Sequence, residues 1–188
     1  LALLLTGILA ACGNEATNDS ALEAAPSESP IEETTTSETE TPAAELVSIK
    51  PEFDLDAGTV TLNNGVSMPI LGIGTFALSD SEAEESVYWA LRDGYRLIDT
   101  ARIYGDEAGV GRAIRRAIDE GLVTREEIFV TTKMWTSDYG NGDAAINASL
   151  ERLGLDYIDL MILHHSQPEN DVAAYKAMEQ AVADGRLK

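Results

Sequence analysis

One cysteine, two histidines and 13 basic residues make this 188-residue chain poor in the groups that cross-link, hold metals or bind phosphate. The single cysteine, Cys12, rules out an intrachain disulfide. The two histidines, His164 and His165, are adjacent. On a strand, neighbours point to opposite faces, so they are poorly placed to share one ion, and no metal site is expected. Lys and Arg are outnumbered by 33 Asp and Glu, for a formal net charge of -20. That balance excludes an ordinary nucleic-acid binder, because phosphate is neutralised by Lys and Arg. No dinucleotide fingerprint of the GxGxxG type is present, and "GIGTFA" is only a partial look-alike. The one long apolar run, "LALLLTGILAAC" at residues 1–12, is too short to span a bilayer.

That run has the length of a signal-peptide core. No Met and no basic segment precede it, so the chain is expected to be truncated at its start. "LAAC" followed by Gly13 resembles a bacterial lipobox. That resemblance implies cleavage before Cys12, lipid on Cys12, and a protein held on the cell envelope outside the cytoplasm by its acyl chains alone. An ordinary signal peptide and a buried free cysteine are the plainer alternatives. From Gly13 to Ile49 the chain has nine acids and no Lys or Arg, in a Ser-, Thr-, Pro- and Ala-rich text. Such a segment cannot bury enough apolar surface to offset the entropy of ordering, so residues 13–46 are expected to be a disordered, extended acidic linker.

Order is expected over residues 47–188. "GTVTLNNGVSMP" reads as a β-hairpin turning at Asn64-Gly65. "ILGIGTFAL", "YRLIDTA", "EIFVTTKMW" and "DYIDLMILHH" read as four core strands. Each precedes a helix: one opened by a Ser81–Glu84 capping box and stopped by Gly94, one with Val110, Ile114, Ala117 and Ile118 on one face, "DAAINASLERLG", and "NDVAAYKAMEQAVADG". The arginines of the second helix, Arg112, Arg115 and Arg116, read as a solvated face. Near-continuous apolar strands alternating with helices predict an α/β fold with a parallel sheet covered on both faces. Four βα units are half of a (β/α)8 TIM barrel, so a second half is expected beyond Lys188, and the segment alone is expected to turn over little substrate.

In such a barrel the strand C-termini share one face, where chemistry is done. Asp99, Tyr104, Lys133 and His164 fall there. Lys133 shares a strand face with Phe129 and Thr131, and His164 with Ile158, Leu160 and Ile162. Each of the four has a plainer reading alone: a helix cap, a loop aromatic, an ion-pair partner, a packed histidine. An acid, a phenol, an ammonium and an imidazole together suggest one proton-handling site.

Around these residues the chain resembles the aldo-keto reductase family, in "TLNNGVSMPILGIGTF", "GYRLIDTARIYGDEAGVGRAI", "EIFVTTKMW" and "LGLDYIDLMILHHSQP". The resemblance covers roughly Val60 to Lys188. It implies a (β/α)8 barrel closed at its base by an N-terminal hairpin, and reduction of small aldehydes and ketones by NADPH, with NADH not excluded. It assigns catalysis to Asp99, Tyr104, Lys133 and His164. A carbonyl oxygen gains charge during reduction, and a phenol of pKa about 10 is a slow donor near neutrality. Lys133 would favour the phenolate, Asp99 would hold Lys133, and His164 would orient the substrate oxygen. The resemblance further implies cofactor contacts at Gly74, Thr75, Phe76 and Asp99, and substrate contacts at Trp135 and His164. Asp106, Ser166 and Arg102 depart from the family's usual Asn, Pro, and apolar residue or His. Two classes of function follow: an oxidoreductase, or a binding or structural lipoprotein that keeps the half-barrel without catalysis. They are separated by whether the gene continues into strands with cofactor contacts.

Overall fold

The computed structural model describes residues 50–188. The apolar segment 1–12 with Cys12, and the acidic linker 13–46, lie outside the described residues. The described chain opens with β1 (Glu52–Asp54), β2 (Thr59–Thr61) and β3 (Ser67–Pro69), an antiparallel sheet in the order β1-β2-β3. β2 and β3 are the expected hairpin, with Val60 opposite Met68. β1, which the sequence did not mark, pairs with β2 at Phe53 and Val60. The turn is wider than the tight one expected. Leu62 N–H donates to Val66 C=O at 2.8 Å, so the connection runs over residues 62–66. Of Asn64-Gly65, only Gly65 takes a positive φ, 84°. The Asn64 side chain accepts from Val66 N–H and donates to Lys188 C=O. Asn64 thus closes the turn with its side chain, as Asn does in Asx turns.

Four strand–helix units follow: β4 (Gly72–Gly74) with α1 (Asp80–Arg92), β5 (Leu97–Asp99) with α2 (Glu107–Asp119), β6 (Phe129–Met134) with α3 (Gly142–Leu153), and β7 (Leu160–Leu163) with α4 (Asp171–Ala183). The strands are parallel in the order β4-β5-β6-β7. An unreversed order with right-handed crossovers returns every helix to the same face of the sheet. Accordingly Ile98, Val130, Met134 and Met161 are buried with Val87, Leu91, Val110, Ile114, Ile146, Leu153 and Met178 in one core. The opposite face carries Leu97, Asp99, Lys133, Leu160 and Ile162, and Ile162 is 39% exposed. Helices therefore cover one face in the described residues, where two covered faces were expected. Beside β7, Leu187 makes a parallel bridge with Ile158.

The helix starts and contacts have local causes. The S-x-x-E spacing occurs at 79–82 and again at 81–84, and the structure uses the first. Ser79, still extended, accepts from Glu82 N–H, and the Glu82 carboxylate accepts from Ser79 N–H at 2.8 Å. Arg112 of α2 is not simply solvated: it bridges Asp80 at 2.5 Å and Glu84 at 2.6 Å on α1. Arg116 stacks 3.5 Å over the Tyr88 ring. Glycine allows α2 to come close to its neighbours. A Cβ on Gly111 would overlap the carbonyl oxygen of Leu153, and one on Gly109 that of Asp80.

Candidate active site

Asp99 ends β5, Lys133 is the penultimate residue of β6, and His164 follows the last residue of β7. Tyr104 closes a 3-10 turn over Arg102–Tyr104, just past β5. The structure brings all four together. Lys133 Nζ donates to Asp99 Oδ2 at 2.7 Å and to the Thr100 carbonyl at 2.9 Å, and lies 3.5 Å from Tyr104 Oη. The Lys133 side chain is 15% exposed and that of Asp99 43%. An ammonium so enclosed needs these partners. Tyr104 meets His164 edge-on, with ring centres 5.8 Å apart, and Phe76 at 5.2 Å.

Burial, with His165 and the Lys133 ammonium beside it, holds the His164 imidazole below its ordinary pKa. Near neutrality the ring is therefore uncharged. Its buried Nδ1 has no hydrogen-bond partner among the described residues. With the proton on Nε2, Nδ1 carries only a lone pair, which costs less to leave bare than an N–H. Nε2–H is then free to donate.

The residues expected around the four are placed as follows. Nothing lies within 4 Å of where a Cβ on Gly74 would stand, so space is open at the end of β4. Thr75 is wholly buried and donates its N–H to the Asp99 carbonyl at 3.0 Å, so it shapes the strand end and does not face that space. Phe76 is 74% exposed. Ala77 behind it has φ 65°, uncommon for a residue with a side chain. Trp135 meets His164 at 5.1 Å and His165 at 5.3 Å. The two histidine rings lie 4.8 Å apart. Strand alternation does not separate them, because β7 ends at Leu163. Among the described residues no three His, Cys, Asp or Glu side chains gather as metal ligands, and no helix is long and apolar enough to cross a membrane.

Among the neighbours of the site, Tyr139 carries no sequence signal, whereas Asp106, Arg102 and Ser166 are the departures from the family pattern noted above. Tyr139 is buried, and its Oη donates to the His165 carbonyl at 2.7 Å, tying down the turn that carries His164. Burial holds the Tyr139 phenol above its ordinary pKa. Asp106 is buried and accepts from the Thr100 hydroxyl at 2.7 Å. Arg102 reaches Asp138 at 3.7 Å, and Ser166 donates to Asp171 at 2.7 Å. A cleft of about 650 Å³ lies at the other end of the strands, where Asp93, Arg96, Glu126, Phe129 and Lys188 line it. The chemistry-bearing side chains stand at the strand C-termini, the functional end in parallel α/β folds.

An ammonium held by a carboxylate against a phenol, beside a neutral imidazole, can deliver a proton to an oxygen that is gaining negative charge. Against known proteins, the model described as "Aldo/keto reductase family" matches residues 69–188. The chain is 47% identical over 135 residues to morphine 6-dehydrogenase of Pseudomonas putida, covering 69% of this chain and 44% of that protein. It is 44% identical over 133 residues to glyoxal reductase of Bacillus subtilis (strain 168), covering 69% and 47%. Among solved structures, an aldo-keto reductase of Bombyx mori in complex with NADP gives a TM-score of 0.62 at 39% identity, over 69% of this chain and 48% of that one. The chain spans about half the length of the curated relatives it matches.

Proposed function

Because the chain belongs to the aldo/keto reductase family, we propose that the protein reduces aldehydes or ketones to alcohols with a nicotinamide cofactor, Tyr104 acting as general acid. One observation carries this reading: the Lys133 ammonium stands 2.7 Å from Asp99 and 3.5 Å from Tyr104 Oη. As a carbonyl is reduced its oxygen becomes negative, and Tyr104 Oη donates the proton to it. Lys133 then faces the phenolate left behind and steadies its charge. Asp99 keeps Lys133 in place against the loss of solvent. His164, neutral, donates its N–H to the same substrate oxygen and orients it. Trp135 and Phe76 are apolar walls for the carbonyl compound.

The residues at the end of β4 fit the flat end of a nicotinamide. The space over Gly74 is open, Gly74 pairs with Asp99 on the next strand, and Phe76 lies against Tyr104; the side chains of Asp99 and Phe76 are accessible. When bound there the cofactor supplies the hydride that reduces the carbonyl carbon. NADP is the form proposed, since a relative of known structure is described in complex with it.

The four βα units are read as the first four of a (β/α)8 barrel, based by the β2–β3 hairpin. The unreversed strand order supports this, because a singly wound sheet can curl while a doubly wound one stays open. The lipobox-like "LAAC" before Gly13 supports lipid attachment at Cys12 and a place on the cell envelope, with residues 13–46 as a spacer.

The test is direct. The complete protein should oxidise NADPH in the presence of an aromatic aldehyde or glyoxal. Tyr104→Phe, which removes one oxygen, should lower kcat about 100-fold or more, the range of general-acid effects. Wild-type turnover in that variant would sink the mechanism.

A further inference from the structure

Two buried carboxylates stand behind the site, on the helix side of the sheet. Glu107, the first residue of α2, is 1% exposed. Its Oε1 accepts from the Thr132 hydroxyl and its Oε2 from Arg152 Nε, both at 2.6 Å. Asp106, immediately before it, is also buried, and its Oδ1 accepts from the Thr100 hydroxyl at 2.7 Å. Thr132 directly precedes Lys133, and Thr100 directly follows Asp99. Both threonines are wholly buried. The Thr100 carbonyl is itself one of the two acceptors, besides Tyr104, that Lys133 Nζ reaches.

Stability gives little reason for this arrangement. Taking a carboxylate out of water is costly, and apolar residues of similar shape often serve as well or better. The start of α2 and the Arg152 guanidinium reduce that cost without removing it. What a hydroxyl–carboxylate bond adds over apolar packing is direction. It fixes the threonine rotamer and the lateral position of the strand at that residue. Since successive side chains alternate across a strand, holding Thr132 on the helix side sets where Lys133 emerges on the other.

We infer that Glu107 and Asp106 are positioning residues: acting through Thr132 and Thr100, they hold the backbone from which Lys133 and Asp99 project, and so keep the ammonium on Asp99 and within reach of Tyr104. The inference rests on the carbonyl reduction proposed above. Its elements converge from four segments. The start of α2 brings Glu107, with Asp106 as the residue before it; α3 brings Arg152, itself bonded to Ser149 at 3.0 Å; β6 brings Thr132, and Thr100 follows the end of the adjacent β5.

In the complete protein, Thr132→Val keeps the side-chain shape and removes the hydroxyl. It should lower kcat for NADPH-dependent aldehyde reduction about 10-fold or more, since small misplacements of reacting groups are costly. KM and NADPH affinity should stay within about twofold, because the contacts to both ligands are unchanged. Thr132→Ser, which keeps the hydroxyl, should recover kcat to within about threefold of wild type. The ¹³C shift of the Lys133 ε-carbon, followed against pH, should change its midpoint in the valine variant and return in the serine variant. Wild-type kcat with an unmoved Lys133 titration in folded Thr132→Val would overturn the assignment. A serine variant as impaired as the valine variant would also overturn it, by making the methyl group the operative contact. Should Thr132→Val not fold, Thr132→Ser and Thr100→Val are read by the same criteria. A wild-type protein inactive on every carbonyl would count against the proposed function alone, and the Lys133 titration would then decide the positioning role.

Discussion

His164 takes up a proton less readily in the folded chain than in the unfolded one, because burial, His165 and Lys133 all oppose the charge. The unfolded imidazole protonates near pH 6.5, whereas the folded one waits for lower pH. Between those two points the unfolded state binds more protons, so stability falls as pH falls. The contribution is complete above the unfolded value and lost on acidification toward the folded one. Urea denaturation at about pH 7.5 and about pH 5.5 should show this loss, and His164→Asn should lack that part of it. An identical acid loss in the variant would count against a charge-excluding environment at His164. Single residues were legible to different degrees. Lys133 stood out because a lysine near the end of an apolar strand is rare without a partner or a task. Asp99 and His164 stood out by their place at strand ends. Tyr139, Thr100, Thr132 and Glu107 did not, because a buried hydroxyl or carboxylate is recognisable only once its partner is beside it.

At the scale of elements, α2 shows what close packing demands. Its apolar face, with Val110, Ile114 and Ala117 buried, follows the helical period that the sequence displays. Its glycines follow no such period. Gly111 lies against the Leu153 carbonyl at the end of α3, where a backbone atom has little room to move aside. Gly111→Ala should therefore destabilise the protein by about 1–3 kcal/mol, as overpacking does, although alanine is the better helix former. Thermal or urea unfolding checks this, and an unchanged or raised stability would mean that α2 and α3 can separate at no cost. The capping box of α1 lies two residues before the expected one, and the turn of the hairpin is wider than the expected one. In each case the local pattern allowed two solutions. Where the chain actually bends settled the choice, at Ser79 and over residues 62–66.

For the whole molecule, the unreversed strand order is the feature with most consequence. It puts α1 to α4 on one face and leaves Leu160, Ile162 and Lys133 on the other. The parallel pairing of β4 to β7 sends their C-termini to one end, which is why an acid, an ammonium and an imidazole from three strands can meet. The net charge of -20 and the acidic segment before the domain belong to this scale too, as does the proposed anchor. Cys12→Ser in the complete protein should move most of it from the membrane fraction to the soluble fraction on cell fractionation, since acyl chains would be its only hold on the bilayer. Unchanged partitioning in that variant would remove the lipid-anchor proposal while leaving the catalytic one intact.

The sequence by itself determined the alternation of strands and helices, their parallel α/β class, the family resemblance and the identity of the side chains at the strand ends. These depend on periodicity, punctuation and residue type, which are local and survive in a linear text. Only the tertiary structure decided that Lys133 reaches Asp99 across 34 positions of sequence, that His164 and His165 share the Trp135 flank, and that Glu107 and Asp106 stand behind the pair. Those are distances between segments far apart in the chain. They are set by how helices and strands pack on one another, which no local pattern encodes.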